Sequence, residues 1–220
     1  MFRPACSSFL TGATLLVALA AASPALAGPP LLCHPFDIEK ARSLPWDGSG
    51  GWRDGRADYN VANLATDTTA LLTPATPVII RMETLRRAAI YASRDVQVAS
   101  RMMSMLLDRA AASERAGRPD ALAMLDAAYF VEALRQISHL GTMPEFTERA
   151  PRFRALVAGT DGYALVQKGI GLRPNDAALE FAAALIAADR NRAAYEDHAR
   201  KARAGAASDH LLALNISHVS

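Results

Sequence analysis

From Asn60 onward the apolar side chains recur with the period of a helix, and no stretch alternates with β-branched enrichment as a strand would. Ala99, Met102, Met103, Leu106, Leu107 and Ala110 form one stripe. Val78, Met82, Leu85, Ala89 and Ala92 form another, behind Thr76-Pro77, which reads as a helix start with Thr at the cap and Pro in the first turn. Gly117 and Pro119 divide the Met-rich stripe from a third, made of Leu122, Leu125, Tyr129, Ala133, Ile137 and Leu140. Met124, Ala128, Val131 and Leu134 widen that third stripe into the arc of a central helix touched on two sides. Gly141 stops it, and Thr142 with Glu145 has the spacing of a capping box. Further helices are expected over 161–172, 176–189, 192–204 and 209–215. Turns this short make consecutive helices antiparallel neighbours, with hairpins opening evenly at Pro77, Pro119 and Asp161. The expected fold class is all-α, antiparallel helical hairpins stacked as a short repeat-like array with an extended N-terminal arm. Leu85, Leu106, Leu125, Tyr129 and Leu179 are its expected core.

The arm is residues 28–58, and the helical domain is 59–220. Pro29, Pro30, Pro35 and Pro45, with the cluster Gly48-Ser49-Gly50-Gly51, forbid a long helix there. The same segment carries Phe36, Trp46 and Trp52, rings that a solvated linker has no use for. The expected reconciliation is an arm laid over the helices with those three rings as anchors.

Residues 1–27 have the pattern of an export signal. Arg3 supplies the positive start, Phe9 to Ala22 is an uncharged apolar run, and Ala25-Leu26-Ala27 is the small-x-small site for cleavage before Gly28. The run is too short for a bilayer span, so no retained membrane span is expected, and the mature chain is placed in the periplasm or secreted. A net charge of +2 and scattered basic residues give no field for nucleic acid. Of the two cysteines only Cys33 survives cleavage, which leaves it without an intramolecular partner.

Tyr163 to Leu172 followed by Pro174, and then the apolar run from Ala177 to Asp189 with Ala183 at its middle, make a helix–turn–helix phrase with small residues at Ala194 and Ala202. Over about residues 163–204 this resembles the tetratricopeptide repeat. The resemblance implies close-packed helix pairs and a groove for a peptide or partner protein.

Two constellations are candidates for chemistry. Cys33-His34 joins a thiol to an imidazole, a pair able to share a metal or lower the thiol pKa, although a metal needs more ligands than these two. Glu132, Arg135, Gln136 and His139 lie on one face of the central helix, and a carboxylate beside an imidazole suits acid–base work if it lines a cleft. The competing reading of that face is a solvated stripe, and Arg81, Glu83, Arg86 and Arg87 read the same way, as a solvated or ion-paired face. Nucleophile-elbow, dinucleotide-loop and zinc-protease motifs are absent, and no catalytic residue, metal or cofactor is assigned. The favoured expectation is a binding or scaffold protein presenting a helical groove to a protein, a peptide or a small ligand. Its binding candidates are Cys33, His34, Trp46, Trp52, Glu132, Arg135 and His139. The alternative is an enzyme or metal-binding protein that uses Cys33 and His34 with Glu132 and His139.

Overall fold

A computed structural model describes residues 28–48 and 51–219. The expected export signal, residues 1–27, lies outside the described residues, as do Ser49 and Gly50 of the glycine cluster. Nine α-helices and no strand occur among the described residues: α1 Leu64–Leu71, α2 Val78–Ala92, α3 Val96–Arg115, α4 Ala121–Ser138, α5 Ala150–Val157, α6 Gly162–Leu172, α7 Ala177–Ala187, α8 Arg192–Gly205 and α9 His210–Asn215. The fold is the expected all-α array of helical hairpins.

Side-chain caps set most of these boundaries. Asp95, Asp120, Asp161, Asp176, Asn191 and Asp209 each stand just before a helix and accept from its first free N–H groups. At the end of α3, Gly117 takes φ +67°, which lets the Arg118 N–H turn back to the Ser113 carbonyl. Two expected starts differ. Pro77, not Thr76, stands at the cap of α2, and the Thr76 hydroxyl closes the preceding loop onto the Leu71 carbonyl. Thr142 and Glu145 form no capping box. Pro144–Phe146 is a single 3-10 turn, and Glu145 pairs instead with Arg53 of the arm.

The central helix is α4. It packs against α2, α3, α5, α6 and α7, so contact on two sides was too modest an expectation. Every residue from Ala121 to Leu134 is buried. Neighbouring α7 is nearly as enclosed and pairs most closely with α8. Leu85, Leu106, Leu125, Tyr129 and Leu179 all lie in the core. The close approach of α6 to α4 requires Gly162, because a Cβ there would stand 2.8 Å from the Ala128 carbonyl oxygen.

The arm crosses this assembly without a helix. It turns at Pro29–Cys33 and again at Ile38–Ala41, where Glu39 has φ 52°. Leu31, Leu32 and Leu44 are as buried as any helix residue, and Phe36 and Ile38 are close behind. Trp46 and Trp52 are half-buried at its margin. Phe36 is the anchor it was expected to be, while the leucines carry more of the burial than either tryptophan.

Candidate functional site

Outside its turns the arm cannot pair its own N–H and C=O groups, and burying them is costly unless something else bonds them. Here side chains of the helical body supply those bonds. Helix α2 turns Glu83, Arg86, Arg87 and Tyr91 toward the arm, positions that share a face by helical spacing. Glu83 Oε2 accepts from the Phe36 N–H at 3.1 Å, and the Arg86 guanidinium donates to the Leu32 carbonyl at 3.0 Å. Arg87 donates to the Leu44 carbonyl at 2.7 Å, and the Tyr91 hydroxyl donates to the Pro45 carbonyl while accepting from the Arg56 N–H.

From α4, Gln136 Oε1 accepts from the Leu31 N–H at 2.9 Å and the Tyr129 hydroxyl donates to the Leu31 carbonyl at 2.8 Å. Asn215, at the end of α9, both accepts from the Asp37 N–H and donates to the Asp37 carbonyl. That two-way bond is how one strand reads its neighbour's main chain, here made by a single amide. Between these polar contacts the Phe36 ring packs edge-on to Tyr129 and Phe181 and stacks on His218.

The electrostatics of this face rest on one buried carboxylate. Glu83 receives two bonds from Arg86 and one from Arg87, with Glu83 and Arg86 both fully enclosed. Of the solvated or ion-paired face expected for Arg81, Glu83, Arg86 and Arg87, the ion-paired alternative holds, with Arg87 half-buried and the other three enclosed because the arm and α4 cover them. Arg81 is also enclosed and bonds Asp126 of α4 at 2.6 Å. Burial pushes the Asp126 carboxyl up from 3.8 to about 6 despite the pull of Arg81 and Arg109. Its Oδ1 has no hydrogen-bond partner among the described residues.

The candidate residues fall into separate places. Cys33 is half-buried, and burial raises its thiol pKa, so it is a thiol and not a reactive thiolate at neutral pH. His34 has its ring 6.1 Å from that of His218, edge to face. Trp46 lies edge-on to Tyr91 with the Arg86 guanidinium 4.9 Å from its ring. Trp52 stacks on Phe146, with ring centroids 6.4 Å apart. Glu132 is buried and not part of a solvated stripe. It accepts from the Gly162 N–H at 3.0 Å, capping α6 from a neighbouring helix, and is held by Arg135 at 2.9 Å and Arg190 at 3.2 Å. Its charge is thus committed to joining α4, α6 and the turn before α8. His139 is exposed at the end of α4. No three of Cys33, His34, Glu132 and His139 come together, and no group of His, Cys, Asp or Glu among the described residues has the arrangement of a metal site.

The residues that read the arm were mostly missed in the sequence. Glu83, Arg86 and Tyr91 carry no motif, and the only signal at Glu83 and Arg86 was a charged helix face. A second unanticipated cluster joins three helices: the Tyr163 hydroxyl lies 2.9 Å from His198 Nε2, and His198 Nδ1 bonds Glu180. His198 and Glu180 are buried, and the unit locks α6, α7 and α8. Comparison with known proteins finds no matching family, no matching curated protein and no matching solved structure.

Proposed function

We propose that this chain is an exported helical binding protein whose recognition face takes a non-helical polypeptide segment by its main chain, and that its own arm occupies that face in cis. One observation carries the reading: side chains from α2, α4 and α9 bond the backbone of residues 31–37 on both the donor and the acceptor side. Recognition of that kind demands a segment that turns at Leu31 and Leu32 and runs on through Phe36, with apolar residues at those three places. A partner segment would compete with a tethered ligand whose effective concentration is on the order of millimolar, so exchange needs a partner that binds tightly or pulls the arm from one end.

The resemblance of residues 163–204 to the tetratricopeptide repeat belongs to the same proposal. Helices α6, α7 and α8 begin and end close to where it puts them, and Ala183 and Ala202 are fully buried at helix contacts. Export rests on Arg3, the apolar run and Ala25-Leu26-Ala27. Mass spectrometry of the mature protein should find Gly28 at its N-terminus, and an intact Met1 on exported material would overturn that part.

The test of binding turns the arm into a free ligand. A protease site placed at Ala57, which is exposed, is cut in the folded chain. A labelled peptide of residues 28–56 should then exchange into the body saturably, and the same peptide with Phe36→Ala should compete at least tenfold more weakly. A body that stays helical by circular dichroism yet takes up no peptide would overturn the reading. The metal or enzyme alternative gains no support from the placement of Cys33, His34, Glu132 and His139.

A further inference from the structure

Most enclosed arginines of this protein are matched to carboxylates: Arg81 to Asp126, Arg86 and Arg87 to Glu83, Arg135 to Glu132. One cleft gathers arginines without such a match, Arg149 half-buried and Arg94 and Arg152 exposed. Between the start of α3 and the start of α5 lies a hollow of about 550 Å³ lined by Arg94, Arg149 and Arg152, with Asp95 as its one acidic side chain. Arg149 is half-buried; it donates to the Ser93 carbonyl at 2.6 Å and to the Glu145 carbonyl at 3.0 Å. Arg94 donates to the carbonyls of Gly55 at 3.0 Å and Arg56 at 3.3 Å. These carbonyls fix the two guanidinium groups without neutralising them. None of the three arginines pairs with a carboxylate among the described residues, and the Asp95 side chain is committed to capping Gln97.

We infer that this cleft is a site for a phosphate-bearing ligand, apart from the contacts to Leu31–Asp37 and bordering the end of the arm at Gly55 and Arg56. Three guanidinium forks offer more N–H donors than their carbonyl partners use, and forks of this shape suit tetrahedral oxyanions with several acceptor oxygens. Two of them are already oriented, which lowers the ordering cost of binding. The positive end of α3, a helix of 20 residues, points the same way. A lining of three positive charges and one negative favours a ligand with at least two negative charges, and the volume accommodates a phosphorylated small molecule or a phospholipid headgroup.

Inorganic pyrophosphate is the probe for the shared chemistry, and vesicles of anionic phosphoglycerol lipid distinguish a membrane source. Pyrophosphate should raise the melting temperature of the full chain by several degrees over chloride at equal ionic strength. Arg152→Gln, an exposed change that leaves the carbonyl contacts intact, should weaken pyrophosphate at least fivefold with the unliganded melting temperature unchanged. Arg149→Lys, which keeps the charge and removes the fork, should weaken it as well. Arg115→Gln with Arg118→Gln, at the far end of α3, is the control for diffuse charge. Vesicle binding that Arg152→Gln abolishes assigns a lipid headgroup; pyrophosphate binding without vesicle binding assigns a soluble phosphate. No stabilisation beyond chloride, equal affinity in Arg152→Gln, or equal loss in the far-end control would each overturn the site.

Discussion

Arg86 holds three things at once: the Glu83 carboxylate, the Leu32 carbonyl and, more distantly, the Trp52 carbonyl. Removing it leaves Glu83 enclosed with only Arg87 as a cationic partner and leaves an arm carbonyl without a donor. Breaking a buried pair from one side costs about 3–5 kcal/mol, and Arg86→Ala should lose that much in urea denaturation. A loss below about 1 kcal/mol would mean that water replaces the guanidinium freely. Asp126 makes a prediction in pH. Its carboxyl is raised to about 6 in the fold, so the folded state holds the proton more tightly than the unfolded chain does. Stability from this group is therefore greatest below about pH 4 and declines as pH rises through about 6. The stability difference between the wild type and Asp126→Asn should shift against the wild type over that interval; a flat difference would show that Asp126 titrates normally. Asp126 did not stand out in the sequence, and Arg86 did so only as one member of a charged face. Helical spacing showed that Glu83, Arg86 and Arg87 share a face, but what covers a face is decided by residues far away in the chain.

At the scale of elements, the chain was legible wherever a helix carries its own boundary signal. Asp161, Asp176 and Asp209 mark starts because a short carboxylate can reach N–H groups two or three residues on, a local geometry that tertiary context rarely disturbs. Thr76 misled because its hydroxyl bonds its own loop, and at Thr142 the chain makes only a single 3-10 turn over Pro144–Phe146. The Met-rich stripe of α3 is buried as its spacing implied, and Leu106→Ala should cost about 2–5 kcal/mol in thermal or urea unfolding. The junction of α4 with α6 is more sensitive than its small residues advertise. Gly162→Ala would drive a methyl into the Ala128 carbonyl and the Glu132 side chain, and should destabilise by about 1–3 kcal/mol. A neutral result would show that α6 can slide, and that Glu132 is not a fixed cap.

For the whole molecule, the arm completes the core. Leu31, Leu32, Phe36 and Leu44 together would return several kcal/mol of apolar burial to water if it were lost, at about 1.5–3 kcal/mol for each side chain. Deleting residues 28–56 should lower the melting temperature by about 10 °C or more and increase binding of a hydrophobic dye. An unchanged melting temperature, with rapid hydrogen exchange across the arm in the intact chain, would make it a mobile tail. The breakers and rings of this segment announced an arm that packs, and they did so from composition alone. The route it follows was hidden, since main-chain hydrogen bonds to Gln136 and Asn215 leave no trace in local pattern. The bond from Asp37 to Asn215 has a temporal consequence. Its two residues are 178 positions apart, so a chain made from its N-terminus presents the arm first and the amide that grips it almost last. During synthesis the stretch at Asp37 must wait until nearly the whole polypeptide has emerged. Leu31 can meet Tyr129 and Gln136 earlier, so the stretch at Asp37 is the last to be fastened, and a chaperone that shelters apolar segments would find it in that interval.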